Sequence, residues 1–168
     1  MINQAAKRIL KALSFDGVEV DAFRHMADLK RLDPMKIFYK KIDEKIYNGS
    51  HAVPVRIFFP NEKSFQESND KTSDSRDKKL LLFVHGGGWV TDCIDNYERI
   101  CARLASATDH IVVSVEYRLA PEYPFPIGFY DCYMAAKAMY TNQFILNTDP
   151  DKITLIGDSA GGNLAAAV

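Results

Sequence analysis

Three short, continuous apolar runs divide the second half of the chain into alternating strands and helices. The runs are Leu80 to Val84, Ile111 to Val115 and Ile153 to Ile156. Helical patterns from about Asn96 to Ala107 and from about Ile127 to Tyr140 separate them. Uninterrupted apolar strands joined by helices are typical of a mostly parallel sheet that helices cover on both faces. We therefore predict an α/β fold from residue 80 onward.

Residues 1–40 contain two helical patterns instead. Apolar side chains recur at intervals of three and four over residues 2–13, and basic side chains lie on the opposite face. A second such pattern runs from about residue 21 to residue 32 and ends before Pro34, because the residue before a proline is disfavoured in the helical conformation. We therefore predict a helical N-terminal cap segment over residues 1–40.

A β-hairpin is predicted where the cap segment ends. Two strand-like segments, Lys41 to Tyr47 and Val53 to Phe59, flank a turn at Asn48 and Gly49. Asn-Gly between two such segments is a strong hairpin signal. Pro54 has no backbone N–H, so we expect the second strand to be irregular where it begins.

The polar composition of residues 61–79 predicts a mobile surface loop. Phe65 is the only large apolar residue in this stretch. Such a segment buries too little apolar surface to offset the entropy lost on ordering, and its mixed charges argue against a binding tail. Residues 41–168 are then expected to form one domain that contains this loop.

Composition and charge argue against several classes of protein, including nucleic-acid-binding and membrane-spanning ones. The chain has 168 residues, of which 47% are apolar and 26% charged, and its net charge of -1 gives no bias towards nucleic acid or an anionic membrane. No apolar run approaches the roughly 18 residues of a membrane span, and the N-terminus lacks a signal-peptide pattern. The three cysteines include no CxxC pair, so we expect no disulfide framework, no zinc site and a reducing, cytoplasmic location.

A glycine-framed serine follows the third apolar run. Residues 157–161 read GDSAG and match the G-x-S-x-G nucleophile elbow, with a strand before the motif and a helix after it. Glycine is needed on both sides because the turn is sharp and neighbouring backbones approach closely. Ser159 is therefore the candidate nucleophile, and the helix start behind it favours negative charge on a substrate oxygen.

A second glycine cluster follows the first apolar run and reads HGGGW over residues 85–89. The backbone N–H groups of Gly86 and Gly87, with that of Ala160, are the candidate oxyanion hole. Alone, this cluster would also suit a phosphate-binding loop, but the chain has no GxxxxGK motif. The two clusters lie about 70 residues apart, each after a predicted strand, and together they favour acyl-transfer chemistry.

With the segment YRLAPE at residues 117–122, these motifs make the chain resemble the hormone-sensitive-lipase family of α/β-hydrolases. The resemblance covers residue 80 to the end with high specificity and residues 1–60 only in general. It implies an α/β-hydrolase fold, of which residues 41–168 form the N-terminal part, and an activity on carboxylic esters. It implies a small-molecule ester substrate of short to medium acyl chain length and no cofactor or metal.

The resemblance also implies roles for individual residues. Ser159 corresponds to the nucleophile. The expected oxyanion-hole residues are Gly86, Gly87 and Ala160. His85 is expected to support the HGGG loop, and Asp158 to be a structural or site-lining carboxylate. Arg118 and Glu122 are expected to brace the turn after the second parallel strand, with Asp131 nearby.

A catalytic serine needs a histidine base and an acid, which in this fold follow the serine in chain order. No Asp, Glu or His follows Ser159. His110 precedes its strand, so we expect it at the far end of the sheet, and His25 is left as the remaining candidate. We therefore expect the chain to be the N-terminal part of a longer hydrolase, with the triad Asp and His beyond residue 168.

Three functional hypotheses follow from these observations. The first is a serine carboxylesterase or lipase. The second is a non-catalytic small-molecule-binding protein on the same fold, and the third is an inert truncated product. A separate C-terminal half or a second copy of the chain stays open as a partner, because the third apolar strand would otherwise form an exposed edge.

Overall fold

A computed structural model describes Arg24 and residues 39–69, 77–141, 143–146 and 148–168. Five strands form one mixed sheet, with β1 (Lys41–Asn48) and β2 (His51–Phe58) antiparallel to each other. The three strands β3 (Leu80–Val84), β4 (Ile111–Val115) and β5 (Ile153–Gly157) are mutually parallel. The strand order is β1-β2-β4-β3-β5, and β2 joins β4 in the antiparallel sense.

Four α-helices and one short 3₁₀ helix have both ends within the described ranges. They are α1 (Glu62–Asn69), α2 (Ile94–Thr108), α3 (Ile127–Tyr140), the 3₁₀ helix Pro150–Lys152 and α4 (Ala160–Ala167). None of the helices in the described ranges has the length and hydrophobicity needed to cross a membrane.

The parallel strands and their connecting helices confirm the α/β fold predicted from the apolar runs. Strands β3 and β4 have the predicted bounds, and every residue of both is buried. Successive side chains point to opposite faces, so Leu80 and Leu82 pack with α3 in one core while Leu81 and Phe83 pack with α2 in the other. Helices therefore cover both faces of the sheet, as a parallel sheet requires.

Two local predictions differ from the structure. Strand β2 is regular through Pro54, which is paired with Lys45 of β1. Its carbonyl accepts a hydrogen bond from the Glu116 N–H at 2.9 Å, while the β4 ladder begins only at Val55, so the missing N–H interrupts no ladder bond there. The predicted loop over residues 61–79 is wrong for α1, where Phe65 packs edge-on against Phe59 at 5.4 Å between ring centroids.

Other predictions fall partly or wholly outside the described residues. The predicted helix over residues 2–13 lies outside them. Of the predicted helix over residues 21–32, the structure describes Arg24, which is helical. In the described part of the sheet, β5 pairs with β3 alone, and it is less buried than β3 or β4.

A buried ion pair fixes the segment that leaves β4. The Asp131 side chain is fully buried on α3 and accepts hydrogen bonds from Arg118 Nε at 2.8 Å and Nη2 at 2.7 Å. It also accepts the Arg118 backbone N–H at 3.1 Å. Because both side-chain and backbone donors converge on one carboxylate, the turn after β4 is held to the first turns of α3. This agrees with the bracing role expected for Arg118.

Removing this carboxylate charge should destabilise the fold without touching the candidate nucleophile. We expect Asp131→Asn to lower the free energy of unfolding by about 2 to 3 kcal/mol, because the guanidinium loses its partner in a largely buried site. Urea unfolding followed by circular dichroism measures this. Asp151→Asn, which changes an exposed carboxylate, is the control, and equal stability of the two variants would contradict the structural role of the pair.

Candidate active site

The sheet register brings the two glycine clusters together. Val84 at the end of β3 is paired with Gly157 at the end of β5, so the HGGG loop and the serine turn leave neighbouring strands at the same edge. The Asp158 N–H extends this contact by donating to the Val84 carbonyl at 3.2 Å. Carboxyl ends of parallel strands are where open α/β sheets bind ligands.

Ser159 has the strained backbone that a nucleophile elbow requires. Its φ is 50° and its ψ is -116°, and the residue is exposed at the start of α4. Non-glycine residues rarely adopt positive φ, and such strain persists only when the surroundings enforce it. The Ser159 carbonyl accepts the Asn163 N–H at 3.2 Å, so the helix begins directly behind the serine.

Two flanking glycines allow this turn to lie against the sheet. A Cβ at Gly161 would lie 2.1 Å from the Val84 carbonyl oxygen, and one at Gly157 would lie 2.3 Å from the Gly161 backbone. Neither position has room for a side chain. The close approach predicted from the GDSAG motif is therefore present in the structure.

The HGGG loop turns sharply after its first glycine. Gly87 has a φ of 104° and Gly88 a φ of 62°, and the Gly87 carbonyl accepts the N–H groups of Val90 and Thr91 at 3.1 and 2.9 Å. A Cβ at Gly87 would lie 2.1 Å from the Thr91 carbonyl oxygen. Glycine is therefore needed for both the conformation and the packing of this loop.

His85 lies beneath the loop and is fully buried. Its Nδ1 is 2.8 Å from the Gly86 carbonyl oxygen, which only accepts, so Nδ1 carries the proton. The imidazole stacks on the Tyr117 ring at 4.3 Å, and the Tyr117 hydroxyl donates to the His85 carbonyl at 3.0 Å. Burial lowers the pKa of His85, which keeps the ring neutral. These contacts support the loop-bracing role predicted for this residue.

Asp158, beside the nucleophile, has a partner that the sequence did not indicate. The Tyr97 hydroxyl donates to Asp158 Oδ2 at 2.6 Å, across 61 residues of sequence. Tyr97 lies on the first turns of α2 and is partly buried. No motif marks this tyrosine, since the contact depends on how α2 packs above the strand ends.

The candidate oxyanion donors have different surroundings. Gly86 lies against the Tyr97 side chain, since a Cβ added at this glycine would be 2.9 Å from the hydroxyl oxygen. Ala160 is the first residue of α4, where backbone N–H groups have no acceptor within the helix. The role of Gly86, Gly87 and Ala160 as oxyanion-hole donors stays a proposal. Gly88 also lies next to the site, and the sequence analysis did not single it out.

An apolar cavity of about 390 Å³ opens beside the HGGG loop. Gly88 and Trp89 form one wall, and Asn163 and Leu164 of α4 form another. Phe129 contributes an aromatic side chain from α3. The cavity thus lies between the loop after β3 and the helix that begins at Ser159.

Arg24 contacts the loops around this cavity. Its guanidinium donates to both carboxylate oxygens of Glu122, at 2.6 and 2.8 Å, and to the carbonyl oxygens of Val90 and Ala120 at 3.0 and 3.1 Å. The hydrogen bonds from Arg24 lower the pKa of Glu122 to about 2. Glu122, which was expected to brace the turn after β4, therefore forms an ion pair with Arg24.

The histidines in the described part of the chain lie away from a base position. His110 precedes β4 and is 2.6 Å from the Thr108 carbonyl through Nδ1, so five residues of strand, about 16 Å, separate it from the site. His51 begins β2, next to the hairpin turn. His25 lies outside the described residues. Among the described residues, no hydrogen bond joins Ser159 to a histidine.

Comparison with known proteins identifies the family of this architecture. The sequence profile of the family described as alpha/beta hydrolase fold matches residues 81–168. Arylacetamide deacetylase from Oryctolagus cuniculus is 44% identical over 157 residues, which cover 90% of this chain and 36% of the relative. Carboxylesterase NlhH from Mycobacterium tuberculosis is 35% identical over 156 residues, covering 91% of this chain and 44% of the relative.

The chain belongs to the hormone-sensitive-lipase-like family of α/β-hydrolases. A solved structure supports the same assignment. EstE1, a thermophilic carboxylesterase cloned from a metagenomic library, superposes on this chain with a TM-score of 0.72 and 34% sequence identity. The superposed region covers 88% of this chain and 47% of the EstE1 chain. The chain thus spans less than half the length of these relatives.

Membership of the hormone-sensitive-lipase-like family confirms the resemblance drawn from HGGGW, YRLAPE and GDSAGG. It also confirms the fold class, since the matched region begins within β3 and includes both glycine clusters. The relatives' names describe ester or amide hydrolysis by those proteins.

The two neighbouring glycines of α4 give a matched test of the close approach. We expect Gly161→Ala to lower the free energy of unfolding by about 3 kcal/mol, because its Cβ would overlap the Val84 carbonyl. At Gly162 the added Cβ would lie 3.2 Å from the Gly157 oxygen, so we expect Gly162→Ala to stay within about 1 kcal/mol of wild type. Urea unfolding compares them, and equal effects would contradict the packing described here.

The buried neutral state of His85 predicts a pH dependence of stability. Its pKa is lowered in the folded state, so the unfolded chain binds more protons below about pH 6.5 and stability falls as pH falls. We expect the urea midpoint of wild type to fall between pH 7.5 and pH 5.5 more steeply than that of His85→Asn, which removes the titrating ring. Parallel slopes would mean that His85 does not carry the effect.

Proposed function

We propose that this chain forms the nucleophile half of a serine carboxylic ester hydrolase. One observation carries the proposal: Ser159 stands exposed on a strained turn at a helix start, directly beside the HGGG loop. A structural turn alone gives no reason to hold a serine at a φ of 50°. The names of the relatives, carboxylesterase and arylacetamide deacetylase, support the same reaction class.

In the proposed reaction, Ser159 Oγ attacks the ester carbonyl carbon while its proton passes to a base. The carbonyl oxygen becomes an oxyanion, which receives hydrogen bonds from the N–H groups of Gly87 and Ala160, with Gly86 beside them. The C–O bond of the ester breaks, and the leaving alcohol takes the proton from the base. Water then attacks the acyl-enzyme, and the acid is released as Ser159 regains its proton.

We assign the base and its orienting acid to sequence that the longer relatives have and these 168 residues do not cover. His85 is unsuited to the role, because its Nδ1–H is engaged with the Gly86 carbonyl and the ring is buried under the loop. His110 lies at the opposite end of the sheet. The proposal therefore treats His85 as a support of the loop and Asp158 as a positioning carboxylate, not as triad members.

The cavity beside the loop suggests the substrate class. Its walls are mainly apolar, and about 390 Å³ suits a small-molecule ester of short to medium acyl chain length. We infer a small organic ester, with no cofactor required by the residues of the site. A reducing, cytoplasmic location fits Cys101 and Cys132, which are buried and form no disulfide among the described residues.

Replacing the nucleophile tests the proposal directly. We expect Ser159→Ala to reduce hydrolysis of p-nitrophenyl butyrate at least about 1,000-fold, because the acyl-enzyme no longer forms. The assay compares the protein that carries this chain, its Ser159→Ala variant and Ser106→Ala, which changes an exposed serine on α2 and should retain wild-type activity.

A serine-directed phosphonate supplies a second readout, since mass spectrometry locates the modified residue. Labelling of Ser159 together with turnover supports the esterase. Undiminished hydrolysis by Ser159→Ala would contradict it. If the wild-type protein shows no turnover and no labelling, the second hypothesis, a small-molecule-binding protein on the same fold, is favoured.

A further inference from the structure

The Tyr97 hydroxyl lies where the two halves of the site meet. It donates to Asp158 Oδ2 at 2.6 Å, and Gly86 of the HGGG loop lies beside it. A Cβ added at Gly86 would lie 2.9 Å from this hydroxyl and 3.1 Å from Asp158 Oδ2. One phenol group therefore contacts both the HGGG loop and the residue before Ser159.

The phenol has a defined role in this hydrogen bond. Burial raises the pKa of Tyr97, and the hydrogen bond and charge of Asp158 raise it further. The hydroxyl consequently keeps its proton and donates it to the carboxylate. A hydrogen bond to a charged acceptor is stronger and more directional than one between neutral groups.

The Tyr97 ring is fixed by aromatic neighbours on the same side of the sheet. Its centroid lies 5.6 Å from that of Phe83 and 5.9 Å from that of His85. Phe83 is a buried residue of β3, and His85 begins the loop itself. The Tyr97 ring is therefore held by its own helix, by β3 and by the buried first residue of the loop.

Asp158 is tied at three points as a result. Its N–H donates to the Val84 carbonyl at 3.2 Å, and its carbonyl accepts the Gly161 N–H at 2.8 Å. Both of these backbone bonds come from the elbow and the adjacent strand. The side-chain bond to Tyr97 is the one that links the elbow to α2, and it acts on the residue next to the strained serine.

We propose that Tyr97 is a positioning residue, whose hydroxyl sets the distance between the nucleophile turn and the HGGG loop. Through Asp158 it orients Ser159, and through Gly86 it holds the loop that carries the oxyanion donors. A hydroxyl that touches neither the reacting atoms nor the ester should affect the transition state more than substrate binding, because oxyanion contacts tighten as charge develops. This inference rests on the proposed esterase function.

Tyr97→Phe in the full-length protein tests the inference, since the ring and its packing remain and one oxygen is removed. With p-nitrophenyl butyrate we expect kcat to fall about 10- to 100-fold while KM changes less than about 2-fold. The affinity for a trifluoromethyl ketone, which forms a tetrahedral adduct with the serine, should fall with kcat. Tyr47→Phe, which removes an exposed hydroxyl on β1, is the control and should match wild type.

An Asp158→Ala background shows whether the effect passes through the carboxylate. There we expect the same Tyr97→Phe change to lower kcat less than about 3-fold, because the acceptor is already absent. Circular dichroism and thermal unfolding of each variant show that the enzymes are folded at the assay temperature. Equal losses in both backgrounds would overturn the link to Asp158.

The results of these assays distinguish a failure of the positioning role from a failure of the proposed esterase function. Wild-type kcat in Tyr97→Phe, or a rise in KM with kcat unchanged, would overturn the positioning role and leave the esterase intact. If wild type neither hydrolyses the ester nor reacts with a serine-directed phosphonate, the proposed function fails first and the inference fails with it.

Discussion

The close approach of α4 to the end of β3 is the contact on which the site depends. Gly161 lies so near the Val84 and His85 carbonyls that an added Cβ would be 2.1 and 2.4 Å from their oxygens. This proximity places the serine turn beside the HGGG loop and holds Ser159 in a conformation that it would not adopt alone. The candidate oxyanion donors and the cavity wall formed by α4 take their positions from the same contact.

His85 and Asp131 are buried ionisable side chains, and neither carries an uncompensated charge. His85 is held neutral under the loop, and its protonated nitrogen is satisfied by the Gly86 carbonyl. Asp131 is buried as a charged group, but three donors of Arg118 converge on it. A neutral ring beneath the loop leaves the local field to the backbone N–H groups, which favours negative charge in front of the loop.

Much of this arrangement follows from the sequence because it depends on local chemistry. The apolar runs gave β3 and β4 their correct bounds, and the GDSAG motif carries its own steric requirement for glycine. The helix α1 was missed because polar residues dominate it, and its one aromatic anchor, Phe65, finds its partner on another element. The Tyr97 contact and the Arg24 to Glu122 pair join residues 61 and 98 positions apart, so no local pattern reveals them.

The strain at Ser159 has a consequence for the order in which the chain acquires its structure. The serine turn follows β5 and is held in place by β3. Strand β3 and its HGGG loop are synthesised about 70 residues earlier than this turn. Contacts between distant segments form late, after the entropy of closing the intervening chain has been overcome. The strained turn therefore arises only once β5 has docked on β3, and an incompletely folded chain presents Ser159 without this backbone conformation.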